Sequence, residues 1–117
     1  VKTKHLIDII RVELDDLVTD LVDTEGVLIR RLQEESITDY VYKENDALLR
    51  REAMAIQGLK SITEDFLPTD YPDPQALAEV FMSKVKAEVD HLQSPQAVVG
   101  LVERRVNKAL KFILDVD

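Results

Sequence analysis

The chain has only two histidines, and one of them completes a suggestive spacing, Glu88-Val89-Asp90-His91. A glutamate and a histidine three residues apart share one helix face, the arrangement that holds metal in di-iron helical bundles. Such a site needs a second Glu-x-x-His and two further glutamates. The residue three before His5 is Lys2, so the second half is missing. The plainer reading of His91 is a helix-terminal histidine, whose imidazolium suits the negative end of the helix dipole. His5 raises phosphotransfer on a helical bundle, but Leu6-Ile7-Asp8-Ile9-Ile10 does not match the pattern around a phospho-accepting histidine. A metal-binding or phosphorelay bundle using His5 or Glu88 and His91 is therefore the secondary reading.

Carboxylates supply the next candidate. Glu13, Asp16, Asp20 and Asp23 recur at three- and four-residue spacing and form a negative stripe on one helix. They lack the loop geometry of a calcium site. Asp16 and Asp20 repel at i,i+4 by a few tenths of a kcal/mol, roughly. A solvated face is the plain reading, and a docking surface for a basic partner is the functional one. Three arginine doublets, Arg30-Arg31, Arg50-Arg51 and Arg104-Arg105, fall in three different segments. Spread through an acidic chain, they read as ion-pair partners and apolar stems rather than a phosphate site. Gly26, Gly58 and Gly100 are isolated, so no glycine-rich phosphate loop exists. With no cysteine, thiolate metal sites, iron–sulfur clusters and cysteine nucleophiles are excluded. The expectation is a non-enzymatic protein with no catalytic residue, no cofactor and no metal.

Composition narrows the partner. Acids outnumber bases by 23 to 15, a formal charge of −8. Nucleic acid and anionic membrane both need clustered Lys and Arg, so neither is expected. No apolar run approaches the roughly 18 residues that span a bilayer, and Val1-Lys2-Thr3-Lys4-His5 leads directly into a charged amphipathic pattern. A soluble, cytoplasmic protein is the plain expectation.

The elements that position these residues follow from helical periodicity. Ile7, Ile10, Leu14, Leu17, Leu21 and Leu28 form a stripe that carries across Gly26, which predicts one helix over about residues 3 to 35. Ser36-Ile37-Thr38-Asp39 offers capping side chains for a second helix, whose stripe runs Val41, Leu48, Ala55, Leu59, Ile62 and Phe66. The seven-residue spacing in both resembles an antiparallel coiled-coil hairpin. Three of the four prolines then fall in Phe66-Leu67-Pro68-Thr69-Asp70-Tyr71-Pro72-Asp73-Pro74, which no intact helix survives. Asp73-Pro74-Gln75-Ala76 opens a third helix, with proline at its first position. Ser94-Pro95-Gln96-Ala97 repeats the device and opens Val98, Val102, Val106, Ala109, Ile113 and Val116. The shared Pro-Gln-Ala is suggestive of a repeat; the plainer reading is two helices started by the same capping chemistry.

The fold expected is all-α: one domain over 1–117, with a long antiparallel hairpin (1–66), a proline-rich joint (67–74) and a shorter helix pair (75–117). The joint is expected to be a corner within one core, with Phe66, Leu67 and Tyr71 packed at the turn.

Val12-Glu13-Leu14-Asp15-Asp16-Leu17-Val18-Thr19-Asp20-Leu21, with Glu44-Asn45-Asp46-Ala47-Leu48-Leu49-Arg50-Arg51-Glu52, resembles the long helical hairpin of FlgN-type flagellar export chaperones. Leu101-Val102-Glu103-Arg104-Arg105-Val106-Asn107-Lys108-Ala109-Leu110 resembles the amphipathic helix such proteins use to hold their clients. The resemblance implies capture of an amphipathic client helix in an apolar groove.

The functional expectation is thus a protein–protein interaction module: an adaptor, export chaperone or assembly subunit that binds a partner helix or self-associates as a dimer. The surfaces expected to carry it are Val99, Leu101, Val102, Val106, Leu110 and Leu114 on the last helix, with Glu13, Asp16, Asp20 and Asp23 on the first.

Overall fold

A computed structural model describes residues 2–115. Four α-helices and two short 3-10 turns make up the fold, and no strand occurs among the described residues. Helix α1 (Lys2–Gln33) runs unbroken through Gly26. At 1.5 Å per residue its 32 residues reach about 48 Å, most of the molecule's 53 Å length. Its end is closed by the Ser36 N–H donating to the Arg31 carbonyl (2.9 Å) and the Glu35 N–H to the Leu32 carbonyl (3.1 Å). That bonding pattern is a Schellman motif, and it puts Glu35 at φ 60°, where glycine is normally favoured.

Helix α2 (Asp39–Leu59) opens as the capping residues predict. The Thr38 side chain accepts from the Val41 N–H at 3.1 Å. Its last turn tightens into a 3-10 segment, Lys60–Asp65, which α1 pins from the side. Arg11 Nε donates to Thr63 Oγ1 (3.0 Å) and Arg11 Nη2 to the Thr63 carbonyl (3.2 Å). The joint continues through a second 3-10 turn, Pro68–Asp70. Phe66 is buried there, with its ring 5.4 Å from Tyr71 and 6.0 Å from Phe81. The Thr3 hydroxyl donates to the Tyr71 carbonyl at 2.5 Å, which ties the corner to the start of α1. Leu67, expected in this cluster, instead points to solvent at 60% exposure. The extended backbone between the two 3-10 turns alternates its side chains, so burying Phe66 turns Leu67 outward.

Helix α3 (Pro74–His91) starts with the Asp73 carboxylate accepting from the Gln75 N–H at 3.1 Å. Helix α4 (Ala97–Asp115) begins differently, despite the shared Pro-Gln-Ala. Its first turn is closed by the Val98 N–H on the Pro95 carbonyl and the Val99 N–H on the Gln96 carbonyl, each at 3.1 Å. The Gln96 amide donates to Asp90 (2.9 Å) on α3. Val116, assigned to the α4 stripe from sequence, lies outside the described residues.

One core joins both sides of the proline joint. Leu6, Ile10 and Leu14 of α1 meet Ile56 and Leu59 of α2, Phe81 and Val85 of α3, and Val102 and Val106 of α4. The two halves are parts of one bundle because neither has enough helices to enclose that core alone. The core does not extend along the whole hairpin. Beyond Leu17 on α1 and before Glu52 on α2, no residue is buried. Helices α3 and α4, of 18 and 19 residues, are too short to accompany α1 to its end. The distal parts of α1 and α2 therefore project as a two-helix arm.

Candidate interaction surface

The structure gives α4 a central place. Val102 and Val106, expected to face a partner, are buried at 0% and 1% exposure. Val99, Leu101 and Leu110 pack at the edge of the same core, and only Leu114 remains exposed. The apolar width of α4 reflects contacts with three other helices, since it packs on α1, α3 and α2. A helix read as offering its face to a client has most of that face occupied by its own chain.

The acidic stripe is also largely engaged. The guanidinium of Arg105 reaches from α4 to three carboxylates of α1: Nη1 donates to Glu13 Oε2 and Asp16 Oδ2, each at 2.6 Å, and Nη2 to Asp20 Oδ2 at 2.7 Å. Lys108 adds a contact with Glu13 at 3.2 Å. The spacing that makes Asp16 and Asp20 repel is what lets one arginine fork bridge them. Burial pushes the Glu13 carboxyl up, but hydrogen bonds from Arg105 and Lys108 outweigh it and hold its pKa below the ordinary value. The hydrogen bonds that Arg105 donates to Asp16, Glu13 and Asp20 push its pKa up. Asp23, the fourth member, is exposed and forms no ion pair among the described residues.

The histidines stand apart. His5 packs edge-on to Phe112, with ring centroids 6.1 Å apart, beside an open groove of about 400 Å³ lined by Ile9, Ala109 and Phe112. His91 is exposed at the end of α3, with Glu88 half-buried one turn before it. Among the described residues, no group of three or more His, Cys, Asp or Glu side chains is placed to hold a metal ion. No described helix is long and apolar enough to cross a membrane.

What the structure brings out instead is the arm. On its outer side α1 presents Val22 at 58% exposure, Gly26 with open space around its Cβ position, and Ile29 at 38%. At 100° per residue these three fall within about 60° of one another on the helical wheel. On α2 the arm exposes Tyr40, Val41 and Leu48. Between the two helices Leu21, Leu28, Leu32 and Leu49 are only half covered. Arg50 clamps the base by reaching Glu25 (3.1 Å) and Asp46 (3.0 Å). Glu52 sits where the arm meets the body, and burial pushes its carboxyl pKa up.

The arm was hidden in the sequence because Val22 and Ile29 look like flanks of a core stripe. The signal that exposes them is helix length: a first helix well over ten residues longer than either C-terminal helix cannot be covered by them along its whole length. Comparison with protein-family models, with curated proteins and with solved structures found no match to this chain.

Proposed function

We propose that this chain is a non-enzymatic protein–protein interaction module of the cytoplasm, an adaptor or assembly subunit that works through its hairpin arm. The observation that carries this reading is the uncovered apolar surface of residues 22–48, where Val22, Ile29, Tyr40, Val41 and Leu48 are exposed on helices that continue past the core. Apolar side chains placed in register on a projecting element gain most when a partner covers them. The acidic charge of −8 supports a protein partner over nucleic acid. An export-chaperone role of the FlgN type is the specific form suggested by the sequence resemblance. On this geometry its client would lie along the arm, because the apolar face of α4 is already packed.

The test compares the wild type with a Val22→Glu, Leu48→Glu double variant. Both positions are exposed, so the variant keeps the wild-type helicity and melting temperature. The expected result is self-association or partner capture in the wild type that the variant loses. A wild type that neither self-associates nor captures any protein in an arm-dependent way overturns the reading.

A further inference from the structure

We infer that the occupant of the arm's outer face is a second copy of this chain, paired antiparallel through α1 about a two-fold axis beside Gly26. This deepens the proposed function and rests on it.

Three observations converge on the second copy. The first is apolar register. Val22 and Ile29 lie seven residues apart on one face, so reversing a second α1 about a point near residue 26 sets each Val22 against the other chain's Ile29. The second is approach. Gly26 lies between them with nothing within 4 Å of its Cβ position, so two helix backbones can come close at the axis without displacing any side chain. The third is charge, and it identifies the partner. Asp23 and Arg30 each follow one of the two apolar residues, so both lie on the same flank of the stripe. A two-fold axis between antiparallel helices keeps that flank on the same side in both copies. Asp23 of one copy therefore meets Arg30 of the other, twice by symmetry. Among the described residues neither Asp23 nor Arg30 forms an ion pair within its own chain.

The other surroundings allow the pairing. Arg105, Glu13, Asp16 and Asp20 lie toward α4, away from the Val22–Ile29 face, and are satisfied within the chain. Glu25 is held by Arg50, so its approach to the axis brings a paired rather than a bare carboxylate. The contact, residues 22–30, spans only about two and a half helical turns, which predicts a weak, reversible dimer rather than a permanent one.

Sedimentation equilibrium on four proteins tests the register. Asp23→Arg and Arg30→Asp, each alone, are expected to weaken the dimer about tenfold or more, because each places like charges across the axis twice. An equimolar mixture of the two restores it, as does the double variant Asp23→Arg, Arg30→Asp. The chain has no cysteine, so Gly26→Cys introduces a single thiol. Mild oxidation is expected to give a disulfide-linked dimer from Gly26→Cys and none from Gly58→Cys or Gly100→Cys, whose positions are equally open. A monomer at millimolar concentration overturns the inference, as does a dimer indifferent to both charge reversals. If partner capture in those cases is still lost in the Val22→Glu, Leu48→Glu variant, the proposed function stands without the dimer.

Discussion

Arg105 Nη1 donates to Glu13 Oε2 at 2.6 Å, joining α4 to α1 across 92 residues of chain. Both side chains are more than four-fifths buried, at 19% and 16% exposure, so water screens this pair much less than the surface ion pairs elsewhere. Asp16 and Asp20 complete the fork from more exposed positions. The cluster ties the last helix to the first, and it engages three acids that the sequence offers as a docking stripe, Glu13 covered and Asp16 and Asp20 still exposed.

Arg105→Ala is expected to destabilise the fold by about 1–3 kcal/mol, because it leaves three carboxylates crowded on one face with only Lys108 nearby. Arg105→Lys should fall between Arg105→Ala and the wild type, since a lysine cannot fork. Urea denaturation reads the difference. A second cycle with Glu13→Gln isolates the pair, and a coupling near zero would show that packing, not charge, holds α4 in place.

Glu13 and Glu52 push stability in opposite directions as pH changes. The Glu13 pKa is lowered in the folded chain, so its contribution is present above the ordinary value of 4.5 and is lost as pH falls through the folded value. The Glu52 pKa is raised by burial, so its charged form is a penalty that sets in as pH rises above 4.5. Glu52→Gln should therefore raise the melting temperature at pH 7 and lose that advantage near pH 4. Glu13→Gln should cost more stability at pH 7 than at pH 3. Melting curves at pH 7, 4 and 3 check both signs.

The glycines and the left-handed turns of this chain do not coincide. Gly58 and Gly100 sit within helices with open space at their Cβ positions, while Glu35 and Gln93 occupy left-handed turns at φ 60° and 53°. Gly58→Ala and Gly100→Ala are each expected to stabilise by about 1 kcal/mol through helix propensity. Glu35→Gly and Gln93→Gly are each expected to gain about 0.5–1 kcal/mol, the relief of left-handed strain exceeding the added unfolded-state freedom. At roughly 4 °C per kcal/mol, calorimetry resolves each change. A lower melting temperature for Glu35→Gly would mean that its side chain supports the hairpin tip.

Cleavage between Thr69 and Asp70 should leave neither piece stably folded, because Leu6, Ile10 and Leu14 depend on Phe81, Val85 and Val102 from beyond the joint. Far-UV circular dichroism of fragments 1–69 and 70–117 is expected to show loss of most helix in each. Helicity should return on mixing. A fully helical, cooperatively melting 1–69 fragment would show that the hairpin folds alone.

Much of the architecture was legible in the chain. The stripe through Ile10, Leu14 and Leu17, the Thr38 and Asp73 caps and the clustered prolines locate the helices, because helix periodicity, capping and proline chemistry act over a few residues. The site was less legible. Val102 and Val22 both read as apolar positions on a wide stripe, yet one is fully buried and the other more than half exposed.

The sequence by itself determined that four helices form and which corner joins the two halves, although the second helix, whose stripe runs to Phe66, ends at Leu59 and tightens into a 3-10 segment. Tertiary structure alone decided which apolar residues are covered. Burial depends on where the other helices stop, and α3 and α4 run out before α1 does. It likewise turned the acidic stripe from a free surface into a clasp, because Arg105 reaches it from as far as 92 residues away in sequence. No local rule links residues so far apart. Only the packing of one shared core brings them into contact.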